Sequence, residues 1–495
     1  MRQLVLGLGL WFACVMQSAE RPNILLIFTD DQGMNDVGIY GSKIRTPHID
    51  SLARDGIKFT QWYVASSICT PSRYGLLTGK YPTRSRDGLL SALMFLNDKE
   101  RGIQKGETIF PALLRKGGYH TALIGKWHLG HGNKGFLPTR HGFNEFIGHT
   151  GGCIDFYTMR YGIEPDWYHG EKHVDESGYA TDLITDEAVD FLKRQKKSRP
   201  FFLHLAYNAP HFPLHAREED TRKYRGRFKD VGWDKLRRQR YERMVKMGLI
   251  DKKWALSPSD VPKWETYDEK MRDELDLKMA LYSAIIDRMD QNIGRIVDKF
   301  RAAGRLDNTL ILFMVDNGVP GTGVHDWRGL FAKNGRNPET RVDNYKEWGR
   351  LGGWTSSSGR GWANLSNAPF RMYKRYTHEG GVATPLIVHW PAGVKAKGEL
   401  RHAPSHIIDV APTCLSAAGL SDKGMEGEDL LPVFARDSKK KRTLYWGSGE
   451  LTLTRQDGSS QLLALNFRTF DDIRYTLQEK NPEGELIGKS INLSG

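Results

Sequence analysis

Four continuous apolar runs in this chain each break off into a short cluster of acids, amides, lysine or histidine. Asn23–Thr29 (NILLIFT) ends at Asp30-Asp31, and His120–Gly125 (HTALIG) ends at Lys126-Trp127-His128. Pro200–Tyr207 (PFFLHLAY) ends at Asn208-Ala209-Pro210-His211, and Thr309–Val315 (TLILFMV) ends at Asp316-Asn317-Gly318. A strand with no polar alternation is buried on both faces, which a parallel sheet covered by helices provides. Thr384–Trp390 (TPLIVHW) reads as one more strand. Thr108–Gly117, Asp182–Arg194 and Lys278–Ala303 read as the intervening helices. The predicted fold class is α/β: a large, mostly parallel or mixed central sheet flanked by helices on both faces, with a small C-terminal α+β subdomain. Ligands in such sheets bind beyond the carboxyl ends of the strands. The four polar tails therefore bring acids, a lysine and histidines to one sheet edge.

Composition removes several alternatives. Mean hydropathy is −0.52, and the one long apolar stretch lies at the extreme N-terminus, which excludes a polytopic membrane protein. Four cysteines in 495 residues exclude a disulfide scaffold. A net charge of +13 favours polyanionic partners: nucleic acid, anionic lipid, or sulfated and carboxylated glycans. Residues 1–19 place Arg2 before an apolar stretch and small Ser18 and Ala19 after it, the layout of a secretory signal peptide; an uncleaved anchor is the alternative. The expectation is export to the periplasm or beyond, with no integral membrane span after removal. Cys69, Cys153 and Cys414 would then remain, an odd number that leaves at least one unpaired.

Two segments interrupt the alternation of strands and helices. From His215 to Trp254 there are 14 Lys/Arg against 7 Asp/Glu. This is a solvated helical excursion or a docking face for an anionic substrate. From Val319 to Ser366 the chain is rich in Gly, Ser, Asn and Trp, including Trp327, Trp348, Trp354 and Trp362. A stretch of that length is usually a lid or binding loop; its indoles either stack on sugar or aryl rings or pack the loop down.

Asp30-Asp31 and Asp316-Asn317 are hard oxygen donors suited to Ca²⁺ or Mg²⁺ if they converge, although each alone is also ordinary turn chemistry. In Cys69-Thr70-Pro71-Ser72-Arg73, Pro71 suits a first helical turn and Gly79 a helix end. Cys69 then sits at a helix N-terminus, where amide groups favour an anion, with Arg73 one turn away on the same face. An unmodified thiol there is expected to have a low pKa; a small buried cysteine is the plainer reading.

The order of these motifs resembles the type I, formylglycine-dependent sulfatases of the alkaline phosphatase superfamily. The likeness runs from about Pro22 to Phe434. It rests on Asp30-Asp31-Gln32-Gly33 with Asp36, Cys-x-Pro-Ser-Arg at Cys69–Arg73 followed by Leu-x-Thr-Gly ending at Gly79, and Gly125–Gly130. It continues through Pro138–Phe143, Asn208–His211, Asp316–Gly318, Lys374 with Glu379-Gly380-Gly381, and Ile407–Thr413. The domains implied are a signal peptide (1–19), a catalytic domain (20–435) and a divergent or truncated C-terminal subdomain (436–495).

The resemblance implies that a separate maturation enzyme converts Cys69 to Cα-formylglycine (3-oxoalanine). Its hydrate attacks the sulfur of a sulfate ester with one hydroxyl, and the second hydroxyl then expels sulfate. It further implies one Ca²⁺ per chain at Asp30, Asp31, Asp316 and Asn317, with the modified Cys69 beside it. Arg73 and Lys126 would stabilise the diol, His128 would deprotonate it, His211 would protonate the leaving alkoxide, and Lys374 would clamp the sulfate. The expected substrate is a sulfated glycan or an aryl sulfate, with carbohydrate the leaning; the basic insert and the tryptophan-rich loop suit a sulfated glycan and equally permit a broad aryl sulfatase. The alternatives are a formylglycine-dependent phosphonate or phosphodiester hydrolase and a non-catalytic polyanion-binding homologue. No nucleic-acid module is recognisable. His149 and Asp155 have no role assigned.

Overall fold

In this computed structural model the described residues are 21–86, 89–93, 96–162, 164–321, 345–351, 355 and 357–446, with the backbone of four further strands between 451 and 491. The expected signal segment, Trp327 and Trp354 lie outside them.

Ten strands form the central sheet: β1 (Asn23–Thr29), β2 (Ile57–Phe59), β3 (His120–Lys126), β4 (Glu145–His149), β5 (Tyr168–His169), β6 (Lys172–His173), β7 (Phe201–Ala206), β8 (Thr309–Val315), β9 (Leu386–His389) and β10 (Glu399–Arg401). Their spatial order is β10-β2-β9-β8-β1-β7-β3-β4-β5-β6. The middle five, β8-β1-β7-β3-β4, are all parallel. β9 runs antiparallel to β8 and β2, and the β5–β6 hairpin adds antiparallel strands at the other side. The sheet is therefore mixed, with a parallel centre, as the continuous apolar runs require.

Side chains along each central strand alternate between two cores. Leu25, Ile27, Leu203, Leu205, Ile311 and Phe313 point to one face. Ile24, Leu26, Phe28, Phe202, Leu310 and Leu312 point to the other. The helix α1 (Cys69–Thr78) packs on the second face, where Tyr74, Leu76 and Leu77 are buried. On the first face lie α2 (Ala180–Arg194), α3 (Gly232–Lys246) and α4 (Glu269–Ala302). α4 begins nine residues earlier than its apolar spacing predicts. Asp268 caps it by accepting the Met271 amide at 2.8 Å, and the first turns are too polar to show a period.

The two interrupting segments are both tied into the fold where they are described. The basic insert is no wholly solvated excursion, because α3 buries Trp233, Leu236 and Met244 in the core. Arg237 and Arg240 are also buried, and Arg240 reaches Asp36 across the fold at 3.0 Å. Of the four tryptophans, Trp348 and Trp362 are buried, and the Trp362 indole donates to the Leu275 carbonyl at 2.8 Å. These two pack the segment down. Downstream, Arg442 pairs with Asp409, and Leu444 and Trp446 are buried against the second core. The strands Leu451–Thr454, Ser460–Asn466, Tyr475–Lys480 and Leu486–Ile491 form an antiparallel ladder.

Candidate active site

The carboxyl ends of the parallel strands gather the polar tails. Asp30-Asp31 follow β1, and Asp316-Asn317 follow β8, its neighbour in register Thr29 to Val315. His211 follows β7. Lys126 closes β3 opposite His149 at the end of β4. Cys69 and Arg73 come from α1 and Lys374 from the loop before Gly380. That loop approaches so closely that a Cβ on Gly318 would lie 1.9 Å from the Gly380 carbonyl oxygen. The two glycines therefore let Lys374 and Asn317 share one centre. All ten residues singled out in the sequence are brought to this edge.

Each of the three carboxylates faces a cation. Arg73 Nη2 and Nε donate to Asp316 Oδ2 at 2.9 and 3.2 Å, and Nη1 donates to the Lys126 carbonyl at 3.3 Å. Lys126 Nζ lies 2.5 Å from Asp30 Oδ2, and Lys374 Nζ lies 2.5 Å from Asp31 Oδ1. Asp31 and His128 both adopt the left-handed region, with φ of 62° and 59°. Such backbone costs energy outside glycine and collects at functional sites. Burial, and then the neighbouring Asp30, push the Asp316 carboxyl up to about 6 despite Arg73.

The histidines have readable protonation. His128 Nε2 lies 2.9 Å from the Leu93 carbonyl, which can only accept, so Nε2 carries the hydrogen. Its Nδ1 is buried without a partner. Burial, reinforced by Lys126, holds this imidazole well below its ordinary pKa and therefore neutral. His211 Nδ1 likewise donates to the Phe212 carbonyl at 2.8 Å, leaving Nε2 3.3 Å from Asp31 Oδ2. Two lone pairs face each other there, an arrangement that a proton or a cation between them relieves.

The expected low-pKa thiol at Cys69 is corrected. The residue is 2% exposed at the start of α1. Burial pushes the thiol up, and Lys126 and Lys374 do not offset it. Asp30 and Asp316 oppose the thiolate as well, so the helix N-terminus does not decide the outcome. Among the described residues Cys69 and Cys414 form no disulfide.

Asp30 Oδ1, Asp31 Oδ2 and Asn317 Oδ1 are buried and accept no hydrogen bond from the described residues. Three orphaned oxygens converging from two strand ends fit a hard divalent cation. Asp30, Asp31 and His211 form a buried group that could hold a metal ion, with ligand atoms within 4.8 Å of one another. This grouping brings in His211, which sequence reasoning had kept apart from the metal. Asp316 is more engaged than expected: its Oδ1 also accepts the Asp31 amide at 3.2 Å. Carboxylate oxygens nevertheless retain further lone pairs.

A cavity of about 660 Å³ opens over this centre. Cys69, His128, His211 and Lys374 line it, with Tyr161, Phe212, Tyr373 and Tyr376 supplying aromatic walls. These rings, with Arg101, were missed in the sequence, where no motif marks them. No residue of the basic insert is among the described lining residues of this cavity. His149 is buried beside Trp167. Asp155 caps a turn, accepting the Tyr157 and Thr158 amides at 2.8 and 3.0 Å.

The sulfatase family model matches residues 22–420. An uncharacterized sulfatase of Schizosaccharomyces pombe is 31% identical over 441 residues, covering 83% of this chain and 78% of that protein. An arylsulfatase of Klebsiella aerogenes is 29% identical, covering 84% of this chain and 90% of that protein. The crystal structure of Ps i-CgsB in complex with k-i-k-neocarrahexaose superimposes with a TM-score of 0.64 at 26% identity, covering 95% of this chain and 86% of that one. Among the described residues no helix is long and apolar enough to cross a membrane.

Proposed function

The chain belongs to the sulfatase family and is a sulfuric ester hydrolase, and on that premise we propose that it works through a formylglycine at Cys69 and a bound Ca²⁺. The observation that carries this reading is the convergence of Cys69, His128, His211 and Lys374 on one cavity, beside carboxylates whose free oxygens lack partners. Oxidation of Cys69 by a maturation enzyme would supply a hydrated aldehyde, one hydroxyl to attack sulfur and a second to expel sulfate. Ca²⁺ held by Asp30, Asp31, Asp316 and Asn317 would supply Lewis acidity toward the sulfuryl oxygens.

The remaining work falls to the chain's own side chains. Lys374 binds the sulfate group. Burial opposes its charge, but Asp31 beside it raises its pKa and keeps it cationic. Arg73 and Lys126 stabilise negative charge developing over Cys69; they are fixed by Asp316 and Asp30 and need not reorganise during the reaction. His128 accepts a proton at Nδ1, since Nε2–H is committed to Leu93. His211 presents Nε2 to the departing ester oxygen. Burial, reinforced by Lys374 and Lys126, holds its pKa well below the ordinary value although Asp31 favours the protonated form.

The aromatic walls suit either an aryl sulfate or the face of a sulfated sugar. An arylsulfatase among the relatives and an oligosaccharide-bound neighbour support both. The tryptic peptide Phe59–Arg73, from enzyme matured in a host with a formylglycine-generating activity, should be lighter than the thiol form by exchange of H₂S for O. The same preparation should release sulfate from 4-nitrophenyl sulfate or sulfated oligosaccharides. A thiol at Cys69 in an active preparation overturns the mechanism.

A further inference from the structure

The charge on the cavity wall exceeds what one sulfate requires. Arg101, Arg360, Lys374 and Arg375 all line it, and no Asp or Glu is among its described lining residues. Lys374 is matched by Asp31, and Arg360 Nη2 lies 2.8 Å from Asp260 Oδ2 outside the lining. Arg101 differs. Its guanidinium is exposed, Nη2 donates to the Ser91 hydroxyl at 3.1 Å, and it has no carboxylate within ion-pair distance among the described residues. Asp98 is nearby, but its Oδ1 accepts the backbone amides of Arg101 and Glu100, at 2.9 and 3.0 Å.

A guanidinium tethered by one neutral hydrogen bond keeps most of its donor fork for a planar or tetrahedral anion. It stands on the same cavity as the aromatic rings Tyr161 and Tyr376, on which a sugar can lie. At about 660 Å³ the cavity is within the range that encloses ligands larger than one sugar ring, roughly 300–1,000 Å³.

We propose that Arg101 reads a second anionic group on the substrate, so that the preferred substrate is a sulfated sugar carrying a further sulfate or carboxylate. This rests on the sulfatase reading above and narrows its substrate class. The second group is not the one hydrolysed. Its role is to hold the sugar across the aromatic wall while the scissile sulfate meets Lys374.

The test is binding to the full chain carrying Cys69→Ala, in Ca²⁺, by calorimetry, with and without Arg101→Ala or Arg101→Lys. The probes are galactose 6-sulfate as a one-anion sugar, oligosaccharides bearing several sulfates from carrageenan, and uronate-containing disaccharides from chondroitin 6-sulfate. The multiply anionic probes should bind at least tenfold more tightly than galactose 6-sulfate. Arg101→Ala should erase that difference, Arg101→Lys should restore part of it, and galactose 6-sulfate should be unaffected. A preference confined to carrageenan probes assigns the second group as sulfate; one confined to chondroitin probes assigns it as carboxylate. Equal binding of all probes, no binding of any multiply anionic probe, or an equal loss for every probe in Arg101→Ala overturns the proposal. Turnover of 4-nitrophenyl sulfate by matured enzyme is scored separately; its absence strikes at the sulfatase reading and leaves the binding result to judge Arg101.

Discussion

Lys126 and Asp30 are bound to each other with both side chains wholly buried, the ammonium 2.5 Å from one carboxylate oxygen. Neither has water to fall back on, so removing one leaves the other stranded. Lys126→Met should reduce kcat by about 10²–10³ through loss of a fixed cation. Because Met fills the space, Tm should fall less than in Lys126→Ala. Steady-state kinetics beside thermal denaturation of both variants checks this.

Cation binding should be visible without turnover. The three orphaned oxygens of Asp30, Asp31 and Asn317 gain partners only in the folded chain, so a bound ion stabilises it. At free Ca²⁺ about 100-fold above Kd the gain is about 2.7 kcal/mol. Calcium should raise Tm, EGTA should lower it, and Asp31→Asn should blunt the response. A Tm indifferent to Ca²⁺ counts against Asp30, Asp31, Asp316 and Asn317 as its ligands.

Asp36 and Arg240 make a second buried junction. Arg240 Nη1 reaches Asp36 Oδ1 at 3.0 Å, and the Tyr282 hydroxyl donates to Oδ2 at 2.8 Å. Asp36→Ala strands Arg240 and should cost about 3–5 kcal/mol of stability, read by denaturant unfolding. Arg240→Met strands the Asp36 carboxylate in turn, but the Tyr282 hydroxyl and the Gly33 amide still donate to it, so this change should cost less.

Acid should destabilise the fold through its buried imidazoles. His204 lies inside β7, 2% exposed, and burial pushes its pKa down to about 3. The unfolded chain binds the proton near 6.5, so the folded form is favoured above that pH. The advantage is lost as pH falls from about 6.5 toward 3, by at most about 1.4 kcal/mol per unit. Asp290, raised to about 7 chiefly by burial, acts with the opposite sign: it favours the fold at low pH and loses that contribution as pH rises from about 4 through 7. Stability curves of His204→Gln should be flatter below pH 6.5, and those of Asp290→Asn flatter between pH 4 and 7.

Gly125 is irreplaceable on steric grounds. Its φ is +112°, and a Cβ there would lie 1.9 Å from the Ala206 carbonyl oxygen on β7. Gly125→Ala should push β3 from β7, displace Lys126 and lower soluble yield and activity together.

The central strands were legible because continuous apolar runs have one structural meaning. β1 and β8 match their predicted spans residue for residue. β2, β5, β6 and β10 have only two or three residues, too few to show a period, and an apolar run such as that of β9 does not tell its direction, which is antiparallel to β8. The site residues were legible because each follows a strand end or sits in a dense local motif. Arg240 was not: its partner Asp36 is 204 residues away, and a basic run looks solvated whichever of its members turns inward. Tyr161, Phe212 and Arg101 meet only in three dimensions, so local spacing carries no trace of the cavity they share.

Asp30, Asp31 and Asp316 stand against Lys126, Lys374 and Arg73, three negative charges against three positive. Such a centre can fold unaided, with little internal field to repel its own members. A divalent ion would then tip a neutral assembly to a surplus of two positive charges, turning an indifferent hollow into an attractor for tetrahedral dianions and ester monoanions alike. Product sulfate, carrying one more charge than the ester it came from, would be held the harder of the two. Turnover would then be governed by how quickly the enzyme lets sulfate go.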